Sequence, residues 1–238
     1  KQKVRTPKII QYLNSTNFDI IVLQEVFDKS ISNKFKNDLK IKYPYCLMPQ
    51  KEGFTFKLSS GVMILSKYPL ELIKHVVFDV SKKSDKGAQK GCSLVKININ
   101  NKAIFLAGTH LDSKNNNSRS LQYQITNDEI LKPYLNDSIP LLIAGDFNTD
   151  FKSSQYDSMM TSFKLKNFEL NDYRPYTFDE FNTWNAKGYK AWIDFIFFQE
   201  NKNIKVFNQY ILRPVMKYKN AKMDLADHYQ IVIEAVIY

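Results

Sequence analysis

Ile139-Pro140-Leu141-Leu142-Ile143-Ala144-Gly145-Asp146-Phe147-Asn148 is the stretch from which the fold is read. A short apolar run closed by turn residues is the pattern of a buried strand, here over Pro140 to Ala144. Gly145 permits a sharp exit from that strand. Asp146 and Asn148, two residues apart, can both point toward one pocket, the first as proton acceptor or donor and the second as a ligand for phosphate or water. The ordinary alternative is an Asx turn, which favours the same three residue types.

Outward from this run the chain alternates short apolar segments with amphipathic ones. Strands are predicted at Ile20 to Gln24, Gly61 to Ser66, Leu94 to Ile99, Ala103 to Gly108, Ile193 to Phe198 and Ile231 to Ile237, each rich in β-branched or aromatic residues. Ile9, Ile10 and Leu13 form a helix face over Lys8 to Leu13. A second helix is expected from Ser118 to about Leu131, with Leu121, Ile125 and Ile130 on its apolar side and Pro133 limiting it. A third covers part of Ser153 to Phe163. Lys114 to Asn117 and Ser81 to Gln89 read as exposed loops, the first without a packing role. Many strands, few helices and short connections predict a mixed α/β sandwich, with function at the strand ends.

The 238 residues suffice for one large domain, and no Pro/Gly/Ser-rich linker divides them. A hydrophobic content of 44% argues against disorder, and no apolar stretch is long enough to span a bilayer. The net charge of +10 and the pI near 9.3 suit a polyanion or an anionic membrane surface, or simply a solvated lysine-rich exterior. The two cysteines, Cys46 and Cys92, lack metal-type spacing. They fit one disulfide or two separate thiols equally well.

Polar residues at the ends of the apolar runs carry the candidate chemistry. Glu25 follows Ile20 to Gln24 and would sit at a strand edge, a suitable anchor for Mg²⁺, which takes few protein carboxylates. His110 and His228 adjoin apolar segments beside Thr109 and Asp227. One imidazole could take a proton from water while the other donates to a phosphoryl oxygen. Asp194 is the one charged residue in Trp192-Ile193-Asp194-Phe195-Ile196-Phe197. A buried carboxylate needs a partner, and His228 is the candidate. His75 has no such surroundings and reads as structural. The aromatics Tyr176, Phe178, Phe181, Trp184 and Tyr189 could hold a quaternary ammonium group, face a lipid or stack on bases, with core packing as the ordinary explanation.

Taken in order, Gln24-Glu25, Gly108-Thr109-His110, Gly145-Asp146-Phe147-Asn148, Ile193-Asp194-Phe195-Ile196 and Asp227-His228 resemble the endonuclease/exonuclease/phosphatase superfamily. Leu23 to Asp28, Ser60 to Pro69, Lys90-Gly91-Cys92 and His110 to Ser113 are similar to its neutral sphingomyelinase branch. The resemblance implies a four-layered α/β sandwich with two central mixed β-sheets and a site at one rim. It implies Glu25 as metal ligand, Asp146 and Asn148 at the phosphate and its water, His110 on the phosphate, Asp227 near metal or phosphate, and Asp194 orienting His228 as general base. The cofactor implied is Mg²⁺, with Mn²⁺ or Co²⁺ as substitutes. The partner implied is a phospholipid membrane surface or phosphocholine lipid, with a monomer that is secreted or membrane-associated.

Three departures bear on this. The family carries an N-terminal strand with an Asn that helps complete the metal site, and residues 1–238 read as a single catalytic domain lacking that strand. Between Asp194 and Asp227, where bacterial sphingomyelinases carry an aromatic hairpin, the chain offers Tyr210, Met216 and Tyr218 without an obvious aromatic tip. Trp192 differs from the family residue and would reshape the pocket. The functions in view are a Mg²⁺-dependent phosphodiesterase acting on sphingomyelin or a lysophospholipid, a DNA/RNA endonuclease of the same superfamily, and a non-catalytic binding module on this fold.

Overall fold

Successive residues of the long strands are apolar on both faces, so the sheet they form has to be covered on two sides. The computed structural model describes residues 2–53, 56–79 and 87–238. In chain order the elements are α1 (Gln2–Ser15), β1 (Ile20–Leu23), α2 (Lys29–Leu39), β2 (Tyr45–Leu47), β3 (Met63–Ser66), β4 (Leu70–Val77), β5 (Gly91–Ile99), β6 (Lys102–His110), α3 (Asn116–Thr126), β7 (Leu141–Asp146), α4 (Ser154–Phe163), β8 (Phe178–Asp179), β9 (Lys190–Ala191), β10 (Asp194–Phe198), β11 (Ile204–Leu212), β12 (Val215–Tyr218), β13 (Ala221–Asp224) and β14 (Gln230–Ile237).

The larger sheet has the order β10-β7-β6-β5-β4, with β6 and β7 parallel and the other neighbours antiparallel. The smaller has the order β1-β3-β2, while β11 pairs with β14. Alternation sorts the side chains into layers. Leu94, Phe105, Ala107, Leu141, Ile143, Phe195 and Phe197 face Tyr123, Tyr156, Met159 and Phe163 of α3 and α4. Val95, Ile97, Ile104, Leu106, Leu142 and Ala144 face Ile64 and Leu47 of the smaller sheet. Met63 and Leu65 turn the other way, toward Ile10 and Leu13 of α1 and Ile31, Phe35 and Leu39 of α2. The result is a four-layered α/β sandwich on a mixed sheet.

β1 has β3 as its one neighbour and β14 has β11 among the described residues. Between them runs a cavity of about 890 Å³, with Ile99, Ile104, Leu106, Leu142 and Ala144 beneath it and Glu25, Asp146, Asp194, Asp227 and His228 at its polar end.

Several expectations are corrected. The first helix begins well before Lys8 and contains Pro7. α3 starts at Asn116, and its last turn widens into a π-helical turn over Asn127–Leu131. Its buried face is Ser118, Arg119, Gln122, Tyr123 and Thr126, leaving Leu121 exposed. Hydrogen bonds explain that rotation: Gln122 Oε1 accepts the Asp112 N–H at 2.8 Å and Arg119 donates to the Asp112 carbonyl at 2.9 Å, tying the helix to the segment after β6. Nor is Lys114 to Asn117 idle, because Asn115 caps α3 by accepting the Ser118 N–H at 2.9 Å. Of the loop expected at Ser81 to Gln89, residues 81–86 lie outside the described residues; Ala88 bridges Leu58, and the Gln89 side chain is fastened to the backbone of Glu52. Cys46 and Cys92 are free thiols on β2 and β5.

Candidate functional site

Strand register assembles the first part of the site. In β6 and β7 His110 lies opposite Asp146, and in β7 and β10 Asp146 lies opposite Asp194. Three adjacent strands therefore present imidazole, carboxylate and carboxylate in one row across the end of the larger sheet. The strands reach two residues further than the apolar pattern indicated at His110 and Asp146, so both side chains stand on rigid ladder positions. His110 Nε2 lies 3.5 Å from Asp146 Oδ2.

His228, in the segment between β13 and β14, meets this row from the side. Its Nδ1 lies 2.9 Å from Asp194 Oδ2, and its side chain keeps 30% exposure. The ring edge of Phe178 packs against it with centroids 5.0 Å apart. Burial opposes a charge on His228, but the Asp194 carboxylate, by charge and hydrogen bond, together with Asp146 and Asp227, outweighs it and raises the imidazole to about 10. Asp227 is held by Arg5 of α1 at 2.7 Å. Burial works against its charge, and the Arg5 pairing with the nearby His228 more than offsets this, leaving the carboxyl below its ordinary range.

Glu25 follows β1 with φ of 60° and Asn148 follows β7 with φ of 49°. Left-handed backbone is readily adopted by Asn but strains Glu by roughly 1–2 kcal/mol, and strain of this kind gathers at functional positions. At Asn148 the bend is fixed on both sides: its N–H donates to Asp146 Oδ1 at 2.8 Å and its Nδ2 to the Leu111 carbonyl at 3.1 Å. Burial and then the charge of Asp227 raise the Glu25 carboxyl, with Asp146 adding to them and His228 and Lys90 opposing. Asp146 is raised by burial first and Asp194 second.

These mutually repelling carboxylates form a donor set complementary to a hard divalent cation. One ligand atom each from Asp146, Asp194 and His228 lie within 4.8 Å of one another. Glu25 and Asp227 face the same end of the cavity.

All seven candidate residues, Glu25, His110, Asp146, Asn148, Asp194, Asp227 and His228, are thus drawn to one end of the sandwich. His75 is elsewhere, on β4, its Nδ1 2.8 Å from Ser93 Oγ. Two residues escaped the sequence reading of the site. Lys90 is buried, with Nζ 2.7 Å from the Leu111 carbonyl and 3.2 Å from His110 Nε2; its signal was a lysine just ahead of a buried strand. Arg5 was hidden in a helix whose start was placed too late.

Trp192 does not line the cavity. It is buried, stacked on Phe195, and its indole donates to the Asp194 carbonyl at 2.8 Å. Several neighbouring aromatics, by contrast, lie outside the core: Tyr173, Phe181 and Tyr189 are exposed, and Phe178 packs on Tyr189 beside His228. β12 and β13 form a hairpin whose turn, Lys219-Asn220, carries Lys219 over the ring of Tyr218. Among the described residues no helix is long and apolar enough to cross a membrane.

The profile of the endonuclease/exonuclease/phosphatase family matches residues 4–228. The chain is 28% identical over 221 residues to a sphingomyelinase C of Leptospira interrogans, covering 82% of this chain and 40% of that protein. It is 29% identical over 177 residues to a phospholipase C of Staphylococcus aureus, covering 66% and 52%. The chain spans about half the length of the curated relatives it matches. Among solved structures, a beta toxin of Staphylococcus aureus superposes with a TM-score of 0.84 at 21% identity over 98% of this chain and 92% of that one. A mutant beta toxin with bound magnesium ions superposes with a TM-score of 0.76 at 21% identity, covering 100% and 92%.

Proposed function

The chain belongs to the endonuclease/exonuclease/phosphatase family, and from that premise we propose that it is a metal-dependent phosphodiesterase that hydrolyses sphingomyelin, or a lysophospholipid, to the lipid alcohol and phosphocholine. The observation that carries the reading is the Asp194–His228 contact of 2.9 Å beside the row of His110, Asp146 and Asp194. The names borne by the relatives support the choice of lipid.

Asp194 accepts the Nδ1 proton of His228, fixes its tautomer and leaves Nε2 to take a proton from the attacking water. The water attacks phosphorus in line with the departing lipid oxygen. His110 donates to a phosphoryl oxygen as negative charge develops, and Asn148, held in its left-handed bend, offers its side chain to the phosphate or the water. Glu25 is the principal metal ligand, with Asp227 beside it, and Mg²⁺ is the ion that such oxygen donors suit, with Mn²⁺ or Co²⁺ as substitutes. When bound, the ion supplies positive charge that neutralises the phosphoryl oxygens and offsets the carboxylates that otherwise keep His228 protonated. The exposed ring of Tyr189, packed on Phe178 beside His228, is the one we assign to a quaternary ammonium group, whereas the Phe181 ring is already taken by Arg174 and Lys190.

The test incubates the protein and Mg²⁺ with sphingomyelin liposomes or with plasmid DNA, with His228→Ala as control. Lipid turnover lost in the variant and in EDTA is the expected result. Nicked DNA alone would assign the chain to the nuclease reading that its charge of +10 also permits. Silence toward both, with metal present, would leave a binding module.

A further inference from the structure

A base and its orienting carboxylate act as a pair only if both backbones are held, and one residue with no part in the proposed reaction touches both. Thr177 is buried with 0% exposure just ahead of β8. Its Oγ1 accepts the N–H of Ile193 at 3.0 Å and the N–H of Asp194 at 3.1 Å. Its carbonyl accepts the N–H of Tyr229, the residue after His228, at 2.7 Å, and its own N–H donates to the Ala191 carbonyl at 3.1 Å. The next residue, Phe178, sets its ring edge against the His228 imidazole.

Consecutive N–H groups of a regular strand point to opposite edges. One oxygen that accepts two of them in succession therefore marks a bend, and this bend falls where Asp194 enters β10. A hydroxyl oxygen has two acceptor sites, and both are taken here. From the same residue, the carbonyl fixes the segment that carries His228. The 2.9 Å contact between Asp194 and His228 thus closes a loop whose other side is Thr177, connecting segments that are 34 residues apart in sequence.

We propose that Thr177 is the positioning residue of the Asp194–His228 pair, its hydroxyl setting where the carboxylate leaves the sheet and its carbonyl setting where the imidazole meets it. This rests on the reading of those two residues as orienter and base. It assigns Thr177 no contact with substrate. Valine at this position keeps the shape and leaves two buried N–H groups without an acceptor. Serine keeps the acceptor, and cysteine replaces it with a weak one.

The experiment compares Thr177→Val, Thr177→Ser and Thr177→Cys in the full chain by two readouts. One is kcat and KM on sphingomyelin vesicles. The other is the low-field proton resonance of His228 Nδ1–H, assigned by its loss in His228→Ala. Thr177→Ser should retain the resonance and stay within about threefold of the unsubstituted kcat, whereas Thr177→Val should shift or broaden the resonance and lower kcat by about 10²-fold with KM little changed, the scale of a misplaced catalytic group. A folded Thr177→Val with unchanged resonance and kcat would overturn the proposal, as would a Thr177→Ser variant that falls as far as Thr177→Val. Should Thr177→Val lose its cooperative thermal transition, Thr177→Ser above Thr177→Cys in both readouts supports the proposal, and equality between them overturns it. If the unsubstituted protein turns over neither lipid nor DNA, the functional reading fails by itself and the resonance alone decides the role of Thr177.

Discussion

The larger sheet and the β1/β14 side of the molecule deliver the two halves of the site in opposite ways. On the larger sheet every strand between β10 and β5 is paired on both sides, and the aromatic layer behind it is closed: Phe195 stacks on Phe197 at 4.9 Å and on Trp192 at 5.3 Å and meets Phe147 at 5.9 Å. His110, Asp146 and Asp194 are fixed there by register. On the other side β1 and β14 border an apolar cavity, and Glu25, Asp227 and His228 project from segments beyond the strand ends. Those three are held by side-chain and loop contacts, not by a sheet ladder: Glu25 by a left-handed bend and by Gln2, which donates to its carbonyl, Asp227 by Arg5 and Asn185, and His228 by Asp194 and, through Tyr229, by Thr177. The site thus joins a rigid wall to an adjustable one, and the Asp194–His228 contact is the seam.

Cutting that seam should have the largest effect. Asp194→Asn keeps the size of the side chain but removes the charge that selects the tautomer and stabilises the imidazolium, and lipid hydrolysis is expected to fall by about 10⁴-fold, as for other oriented bases. Steady-state turnover on sphingomyelin vesicles measures it. A loss under tenfold would mean that His228 is oriented by something else.

The contrast in packing comes next. Phe195→Ala, in the closed layer with 0% exposure, should destabilise by about 3–5 kcal/mol. Ile233→Ala, half-buried on β14 and lining the cavity, already lacks neighbours on one side and should fall within about 1 kcal/mol. Urea unfolding of both variants gives the comparison directly; equal losses would show that the two sides are packed alike. A smaller effect belongs to Arg5→Gln. Its bond to Asp227 is half-exposed on the carboxylate side, so stability should change by no more than about 1 kcal/mol. Hydrolysis should still drop about tenfold, ~1.4 kcal/mol in barrier, because the segment carrying His228 loses its tie to α1 through Asp227 and keeps only the one from Tyr12 to Gln230. Unaltered turnover in Arg5→Gln would separate α1 from the site.

The same contrast explains what could be seen in the sequence. Strands of the rigid wall are buried on both faces, so their apolar runs stand out, and a single polar residue closing such a run, as at His110, Asp146 and Asp194, is conspicuous. The mixed α/β sandwich followed from many strands, few helices and short connections, and its four layers were implied by the family resemblance. α3 misled because its buried face is made of Arg119, Gln122 and Tyr123, polar groups satisfied by partners that no helical period can show. β11 was missed because its face is mixed and a bulge between Val206 and Asn208 breaks its alternation. Thr177 carried no local signal, and that of Lys90, a lysine just ahead of a buried strand, said nothing of its partners. Their positions matter only through Leu111 and His110 in one case and Asp194 and Tyr229 in the other, contacts that exist once distant segments have met.

A last test of the seam needs no substrate. In the folded chain His228 is raised to about 10, against an ordinary value near 6.5 in the unfolded chain. Below about pH 6.5 both states carry the proton, and the stabilising pairing with Asp194 is fully present. Between there and about 10 the unfolded state has released its proton while the folded state keeps it, so folding binds a proton and stability declines as pH rises. In chelator, therefore, the stability advantage of the unsubstituted protein over His228→Gln should be greatest near pH 6 and shrink steadily toward pH 10. Urea midpoints across that range measure the difference. An advantage that grew with pH would mean that His228 is held neutral in the folded state, and that burial, not the three carboxylates around it, governs this side of the site.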